Sequence, residues 1–339
     1  MPQPPKPTQT SPAKTSQTKS IKKSKKKFVC GFVSILGRPN AGKSTLMNAL
    51  LGTKIAIVAA RPQTTQNAIQ GVVNAPGAQI VFVDTPGIHK SNTLLNRRMM
   101  DDVRTSAPAD VILFLVDSTS RVVEEDSQAV DLVRKAAKPH NDEEGQSATP
   151  VIAVFNKIDA LSSKSKVLNL IEHYRGLYDF DALIPISAKS GDSLDVLQRE
   201  IIQRLPTGPA LFPEDHLTDQ PERFLAAELI REQALRLTRE EVPHALAVMI
   251  ERWEEVGQGP VPTLVRIAAT IYVERQGQKT IVIGAGGSML KKIGTLARRE
   301  IEKLTGKKVF LETFVKVQPN WREDPEFLAA THWRTMLGE

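Results

Sequence analysis

The sequence predicts a mostly parallel α/β sheet domain followed by a smaller α+β domain. Short β-branched runs alternate with helix-period segments from Phe28 to about Pro206, the pattern of parallel strands covered by helices. A stretch containing Pro206, Gly208, Pro209 and Pro213 ends that alternation. Beyond it the order becomes one helix, two strands, a basic helix and a final strand. The 339 residues suffice for two domains with proper cores. The expected division is a Lys-rich tail 1–27, a first domain 28–206, a linker 207–220, a second domain 221–322 and a C-terminal tail 323–339.

The tail has eight lysines and no acid, with almost nothing apolar to bury, so it reads as disordered. The formal charge of +7 is uneven. From Arg275 to Arg322 eleven basic residues stand against only Glu300, Glu302 and Glu312, which suggests a polyanion partner. The apolar run Val111 to Val116 is far too short to span a bilayer, and no apolar core follows the basic N-terminus. The expectation is a cytoplasmic protein, with peripheral contact at the inner face of the membrane as the second reading. One cysteine, Cys30, excludes an internal disulfide or thiol metal cluster and reads as core packing.

In the first domain the expected strands are Phe28 to Leu36, Ala68 to Asn74, Gln79 to Asp84, Val111 to Asp117, Val151 to Asn156 and Ala182 to Ser187. After the first strand come Gly37, Arg38, Pro39, Asn40, Ala41, Gly42, Lys43, Ser44 and Thr45, then the helix-like Leu46 to Leu51. Two glycines spaced by four residues, followed by Lys and Ser, suit a phosphate-binding loop. Backbone N–H groups and a helix N-terminus cradle phosphate oxygens, Lys43 supplies a cation, and Ser44 offers a hydroxyl to Mg²⁺. Lys138 to Pro150 reads as an exposed loop.

Three further motifs close later strands, where open α/β sheets hold ligands. Asp84, Thr85, Pro86 and Gly87 end the third strand; the aspartate suits Mg²⁺ through a water, and the Gly87 N–H suits a γ-phosphate. Asn156, Lys157, Ile158 and Asp159 end the fifth. Asp159 can accept both the ring N1–H and the exocyclic N2–H₂ of guanine, a donor pair adenine lacks. Ser187, Ala188 and Lys189 end the sixth, with the Ala188 N–H placed for guanine O6.

In this order, each at a strand end, these motifs resemble the guanine-nucleotide-binding set of the GTPase superfamily. The run Arg61 to Asn67, RPQTTQN, is similar to the first switch of the Era-type GTPases. That resemblance implies a P-loop GTPase domain binding GTP or GDP with Mg²⁺ held by Ser44, Asp84 and one switch threonine. Spacing leaves open whether that is Thr64 or Thr65; Lys43, Ser44 and Thr65 are carried as the catalytic set. Gln66 departs from a commonly basic position. Ile88 stands where many GTPases place a water-orienting glutamine, so hydrolysis is expected to be slow. The resemblance also admits K⁺ at Asn40 as a substitute for an arginine finger.

Beyond the linker, Thr218 to Phe224 and the helix-period Leu225 to Leu237 resemble the start of the KH domain of Era proteins. Asp219, three residues before Glu222, reads as a helix N-cap. Strands are expected at Ala245 to Trp253, Val265 to Glu274 and Lys308 to Val317. Gly284, Ala285, Gly286 and Gly287 fit the GxxG of a KH fold, a side-chain-free turn that clamps about four nucleotides. A basic helix with Lys291, Lys292 and Arg298 follows. The middle of the loop lacks the lysine often found there, so its phosphate contact is expected to be backbone only. The resemblance, covering Phe28 to Arg322, implies an α+β type II KH domain. It also implies binding to the 3′ end of small-subunit ribosomal RNA and to the assembling subunit, as a monomer.

Overall fold

The computed structural model describes residues 27–58, 69–84, 109–120, 124–137, 148–163, 165–238, 242, 246–257 and 263–331. Strands β1 (Val29–Gly37), β2 (Ile69–Ala75), β3 (Ala78–Asp84), β4 (Val111–Asp117), β5 (Val151–Asn156) and β6 (Ala182–Pro185) form one sheet. Their spatial order is β2-β3-β1-β4-β5-β6. β2 pairs antiparallel with β3, and the other pairings are parallel. The central strands β4 and β5 are buried along nearly their whole length, as unbroken apolar runs covered on both faces must be.

One face packs on α1 (Lys43–Leu51) and α4 (Leu194–Arg204), through Leu46, Met47, Leu197 and Ile201 against Val33, Ile35, Ile152 and Val154. The other packs on α2 (Glu124–Ala136) and α3 (Ser165–Leu177), through Val130, Val133, Leu170 and Tyr174 against Ile112, Phe114 and Phe155. Strand ends fall within a residue or two of expectation, β6 closing early at Pro185.

The stretch expected as a linker lies along the β2–β3 edge. Buried Gln79 accepts the N–H groups of Leu211 and Phe212 at 2.8 and 3.0 Å, and Thr218 donates its hydroxyl to the Gln70 carbonyl at 2.6 Å. The chain then enters α5 (Glu222–Leu237), whose cap is Pro221 rather than Asp219. Asp219 is drawn off that role: its Oδ1 accepts Gln220 Nε2 at 2.8 Å. Phe224 and Leu225 at the start of α5 belong to the first domain's core, while Ala226 to Leu235 pack in the second's.

That second domain adds β7 (Ala247–Val256), β8 (Leu264–Val273), α6 (Gln276–Ile283), α7 (Ser288–Thr305), β9 (Lys308–Val317) and α8 (Pro325–Ala330). β8 is central, antiparallel to β7 and parallel to β9. α6 had no counterpart in the sequence reading, because Thr280, Ile281, Val282 and Ile283 favour a strand locally. Gln278 Oε1, which accepts the N–H groups of Glu274 and Arg275 at 2.9 and 3.0 Å, and packing on the sheet override that preference. The stretch set aside as a tail after Arg322 is in part a packed element. Asp324 caps α8 by accepting the N–H groups of Glu326 and Phe327, and Leu328 and Phe327 close on Trp321, Ala247 and Tyr272. Among the described residues no helix is long and apolar enough to cross a membrane.

Candidate functional site

The loop from Gly37 to Gly42 turns between β1 and α1 on two glycines that have no room for a side chain. A Cβ on Gly37 would lie 2.4 Å from the Leu115 carbonyl oxygen, and one on Gly42, at φ 96°, would lie 2.3 Å from Asn156 Nδ2. Asn40 also adopts a left-handed conformation, φ 63°. No acidic side chain occupies the first turn of α1, so its N-terminus keeps its full attraction for anions. Lys43 is buried and curls back under the loop, its Nζ 3.2 Å from the carbonyl oxygens of both Gly37 and Arg38. Arg38 is tied down in turn by buried Asp126, Nη1 to Oδ1 3.1 Å. Burial, with Asp126 beside it, pushes the Tyr174 hydroxyl well above the usual tyrosine pKa. Asp84 ends β3 opposite Ile35 in register, two residues before the loop begins.

Asn156, at the end of β5, joins the two halves of the site. Its Nδ2 donates to the Ala41 carbonyl in the phosphate loop, and its Oδ1 accepts the N–H of Ala188, both at 2.9 Å. The Ala188 N–H expected at guanine O6 is therefore already engaged, by the carboxamide that sets the spacing between the loops. Asp159 is exposed, and its Oδ1 accepts the Ser187 hydroxyl at 2.7 Å, which fixes the plane of the carboxylate. Lys157 sits at φ 68° with its Nζ 2.6 Å from Asp117 Oδ2; Lys189 is exposed.

Asp117 was missed by the sequence reading, although it closes the apolar strand β4 at the end where ligands bind. Burial alone would raise its pKa, but the Lys157 ammonium and the Thr119 hydroxyl and N–H outweigh this and hold it below the ordinary aspartate range. Thr64, Thr65, Thr85, Pro86, Gly87 and Ile88, and the side chain of Asp84, lie outside the described residues.

In the second domain Gly284 to Gly287 lie between α6 and α7. Gly284, at φ 72°, must be glycine: a Cβ would fall 2.6 Å from Met289 Cβ and 2.9 Å from its backbone nitrogen. Gly286 and Gly287 take φ 56° and 79° with open space around them, so the bare backbone of this turn faces outward. α7 buries Ile293, Ala297 and Ile301 and leaves Lys291, Lys292 and Arg298 exposed. One helix thus carries the glycine turn at its N-terminus and cations beside it.

Residues 32–157 match the family described as 50S ribosome-binding GTPase, and residues 241–322 match the KH domain family. GTPase Era of Geobacter metallireducens is 50% identical over 303 residues, covering 89% of this chain and 96% of that protein. GTPase Era of Ruminiclostridium cellulolyticum is 44% identical over 91% of this chain. Among solved structures, Era in complex with MgGDPNP and nucleotides 1506–1542 of 16S ribosomal RNA is 41% identical with a TM-score of 0.82. It aligns over 90% of this chain and 99% of its own. A point variant of Aquifex aeolicus Era bound to GDP.AlF4⁻ matches with the same identity and TM-score. With a nucleotide-site loop set, a GxxG turn and relatives aligned through both domains, the chain belongs to the Era-type GTPases.

Proposed function

We propose that the chain is a GTP-hydrolysing switch that binds the 3′ end of small-subunit ribosomal RNA and assists assembly of that subunit. The carrying observation is the whole-chain likeness to an Era structure holding both MgGDPNP and 16S nucleotides 1506–1542. The family description that names the 50S subunit covers only residues 32–157, so it bears on the nucleotide domain and not on the RNA partner. The glycine-shaped loop, a first turn of α1 without an acidic side chain and the hard oxygen donor Ser44 fit a nucleoside triphosphate with Mg²⁺. Mg²⁺ supplies charge at the β- and γ-phosphates. Lys43 adds a second charge from beneath the loop, and its two carbonyl contacts hold it there. Asp159, oriented by Ser187, reads guanine; Asn156 sets the distance between the phosphate and base ends.

In this reading one of Thr64 and Thr65, with Asp84 and Ser44, completes the metal shell, and Thr85, Pro86 and Gly87 report the γ-phosphate. Ile88 cannot hold a water, so turnover is slow without an added charge, which a K⁺ at left-handed Asn40 would supply. The protein works as a cytoplasmic monomer. The Lys-rich residues 1–27 favour one second reading, peripheral binding to an anionic membrane, measured by vesicle pelleting with those residues removed.

The test is binding of the full chain to RNA spanning the 3′ end of the small-subunit RNA, against a shuffled RNA of equal length at fixed salt. Preference for the native sequence of at least about ten-fold is expected. Equal affinity for the two, or no GTP turnover, overturns the reading.

A further inference from the structure

One polar cluster ties the two domains together beyond the C-terminal end of α1, the helix that begins at the phosphate loop. Lys54 follows α1, and its Nζ lies 2.5 Å from Glu232 Oε2 on α5 and 3.5 Å from Glu300 Oε2 on α7. Glu232 is buried, and its other oxygen accepts the backbone N–H of Val58 at 3.0 Å. Val58 stands three residues before Arg61, where the RPQTTQN run begins.

The same strip is gripped from the opposite side. Asn48 of α1 donates to the Ala56 carbonyl at 2.7 Å and accepts the N–H groups of Ile55 and Ala56 at 3.0 and 2.9 Å. Residues 55–58 are thus clamped between the helix of the phosphate loop and a helix of the second domain. Glu300 sits on the helix that begins at the glycine turn, and it is shared between Lys54 and Lys303, whose Nζ is 2.9 Å away. A shift of α7 changes how that carboxylate divides between two lysines. Any loosening of Lys54 leaves Glu232 with a buried charge held, among the described residues, by Val58 and Gln233.

We propose that Lys54 is the coupling residue between RNA and nucleotide. RNA seated on the glycine turn and α7 sets, through Glu300 and Glu232, the position of residues 55–58, the strip that precedes the first-switch run in the sequence. Lys54 is a positioning residue: it touches neither ligand and acts on the backbone leading to the switch. The proposal rests on the function proposed above. Linkage then requires that RNA change GDPNP affinity by the same factor by which GDPNP changes RNA affinity.

The experiment uses the full chain. The affinity for GDPNP is titrated with and without the ribosomal RNA 3′ end, the affinity for RNA with and without GDPNP, and turnover under both conditions. Wild type, Lys54→Met, Lys54→Arg, Glu300→Gln and the Lys54→Met/Glu300→Gln pair are compared. Lys54→Met and Glu300→Gln are each expected to bind either ligand alone within about three-fold of wild type, while the mutual effect shrinks about five-fold or more. Lys54→Arg is expected to restore it, and the pair to lose no more than the stronger single variant, because both act on one link. Glu300 is partly exposed, so its variant decides the question if Lys54→Met unfolds. RNA binding with an undiminished mutual effect in Glu300→Gln, or no mutual effect in wild type, overturns this proposal alone. Absence of RNA binding by wild type overturns the functional reading and this proposal with it.

Discussion

Asn156 is the residue whose replacement tests the architecture of the nucleotide site most directly. Asn156→Ala removes two hydrogen bonds at once and strands two buried backbone groups, the Ala41 carbonyl and the Ala188 N–H, in residues 1% and 5% exposed. Each stranded group costs about 1–3 kcal/mol, so the pair is worth about 2–6 kcal/mol before water relieves part of it. Where this cost appears depends on what the loops do. If they keep their spacing without the strut, the loss falls on stability; if nucleotide must restore that spacing, it falls on affinity at about 1.4 kcal/mol per ten-fold. The assay is therefore paired: urea midpoints with and without GDP, and GDP affinity by fluorescence titration. We expect GDP affinity to fall about 100-fold or the unfolding free energy by about 3 kcal/mol, the two losses trading against each other. Asn156→Asp sharpens the test, since it keeps an acceptor for Ala188 but turns an oxygen toward the Ala41 carbonyl, and is expected to do no better than alanine. Wild-type affinity together with a wild-type midpoint in Asn156→Ala refutes the strut.

The remaining predictions concern the base, the turn and pH. Asp159→Asn is expected to weaken GDP binding by about 100-fold, the loss of a charge-assisted bond plus a mismatched donor, and to shift preference toward xanthine nucleotide. Equal GDP affinity in a folded variant removes Asp159 from base reading. Replacing Gly286 and Gly287 with Asp leaves room for both side chains, and Asp tolerates left-handed backbone, so the protein is expected to fold at a cost of about 1–2 kcal/mol per site. RNA binding is expected to be lost, as two carboxylates then face the phosphates; unchanged RNA affinity removes the turn from the interface. Asp117 is held below the ordinary aspartate value of 3.8, so its contribution to stability is present above that pH and is lost as pH falls through the lower folded value. The urea-midpoint gap between wild type and Asp117→Asn is expected to hold from pH 7 to about 5 and close below about 4; a gap that widens on acidification refutes the assignment.

The layered α/β domain was legible because its central strands β4 and β5 are unbroken apolar runs, and because β1, β3 and β5 end in Gly37, Asp84 and Asn156, residue types that nucleotide chemistry demands at a strand end. The site residues Asn156, Asp159 and Ser187 were legible as types, but their mutual bonds were not. That Ser187 orients Asp159, and that Asn156 occupies the Ala188 N–H, follows from the packing of β5 beside β6, which no local pattern encodes. Asp117 escaped because a lone aspartate after a strand is common, and its ion pair with Lys157 forms only when β4 and β5 lie side by side. α6 escaped because β-branched residues obscure a helix held by tertiary contacts. The N-cap was misplaced because the helix begins at Glu222, which makes Pro221 the cap and leaves Asp219 two residues upstream of it.

α5 shows why the domains can act on each other without being fused. A helix buried from Phe224 to Leu235 is ordinarily apolar on every side, yet this one carries Glu228, Arg231, Glu232 and Gln233 inside it. Glu228 and Arg231 bond one another through two 2.7 Å bonds within the helix. Glu232 reaches across to the first domain, taking Lys54 and the Val58 N–H. An apolar contact in the same place would hold the domains as well or better, because a buried ion pair seldom outperforms well-packed hydrocarbon. What the polar contact adds is direction and a sharp loss when its geometry is broken, whereas apolar surfaces slide past one another at little cost. Phe224 and Leu225 anchor the start of α5 in the first domain by packing alone, and Glu232, two turns further on, carries the contact that depends on geometry. In the coupling proposed above, the apolar end of α5 is the pivot and the charged middle is the part that responds.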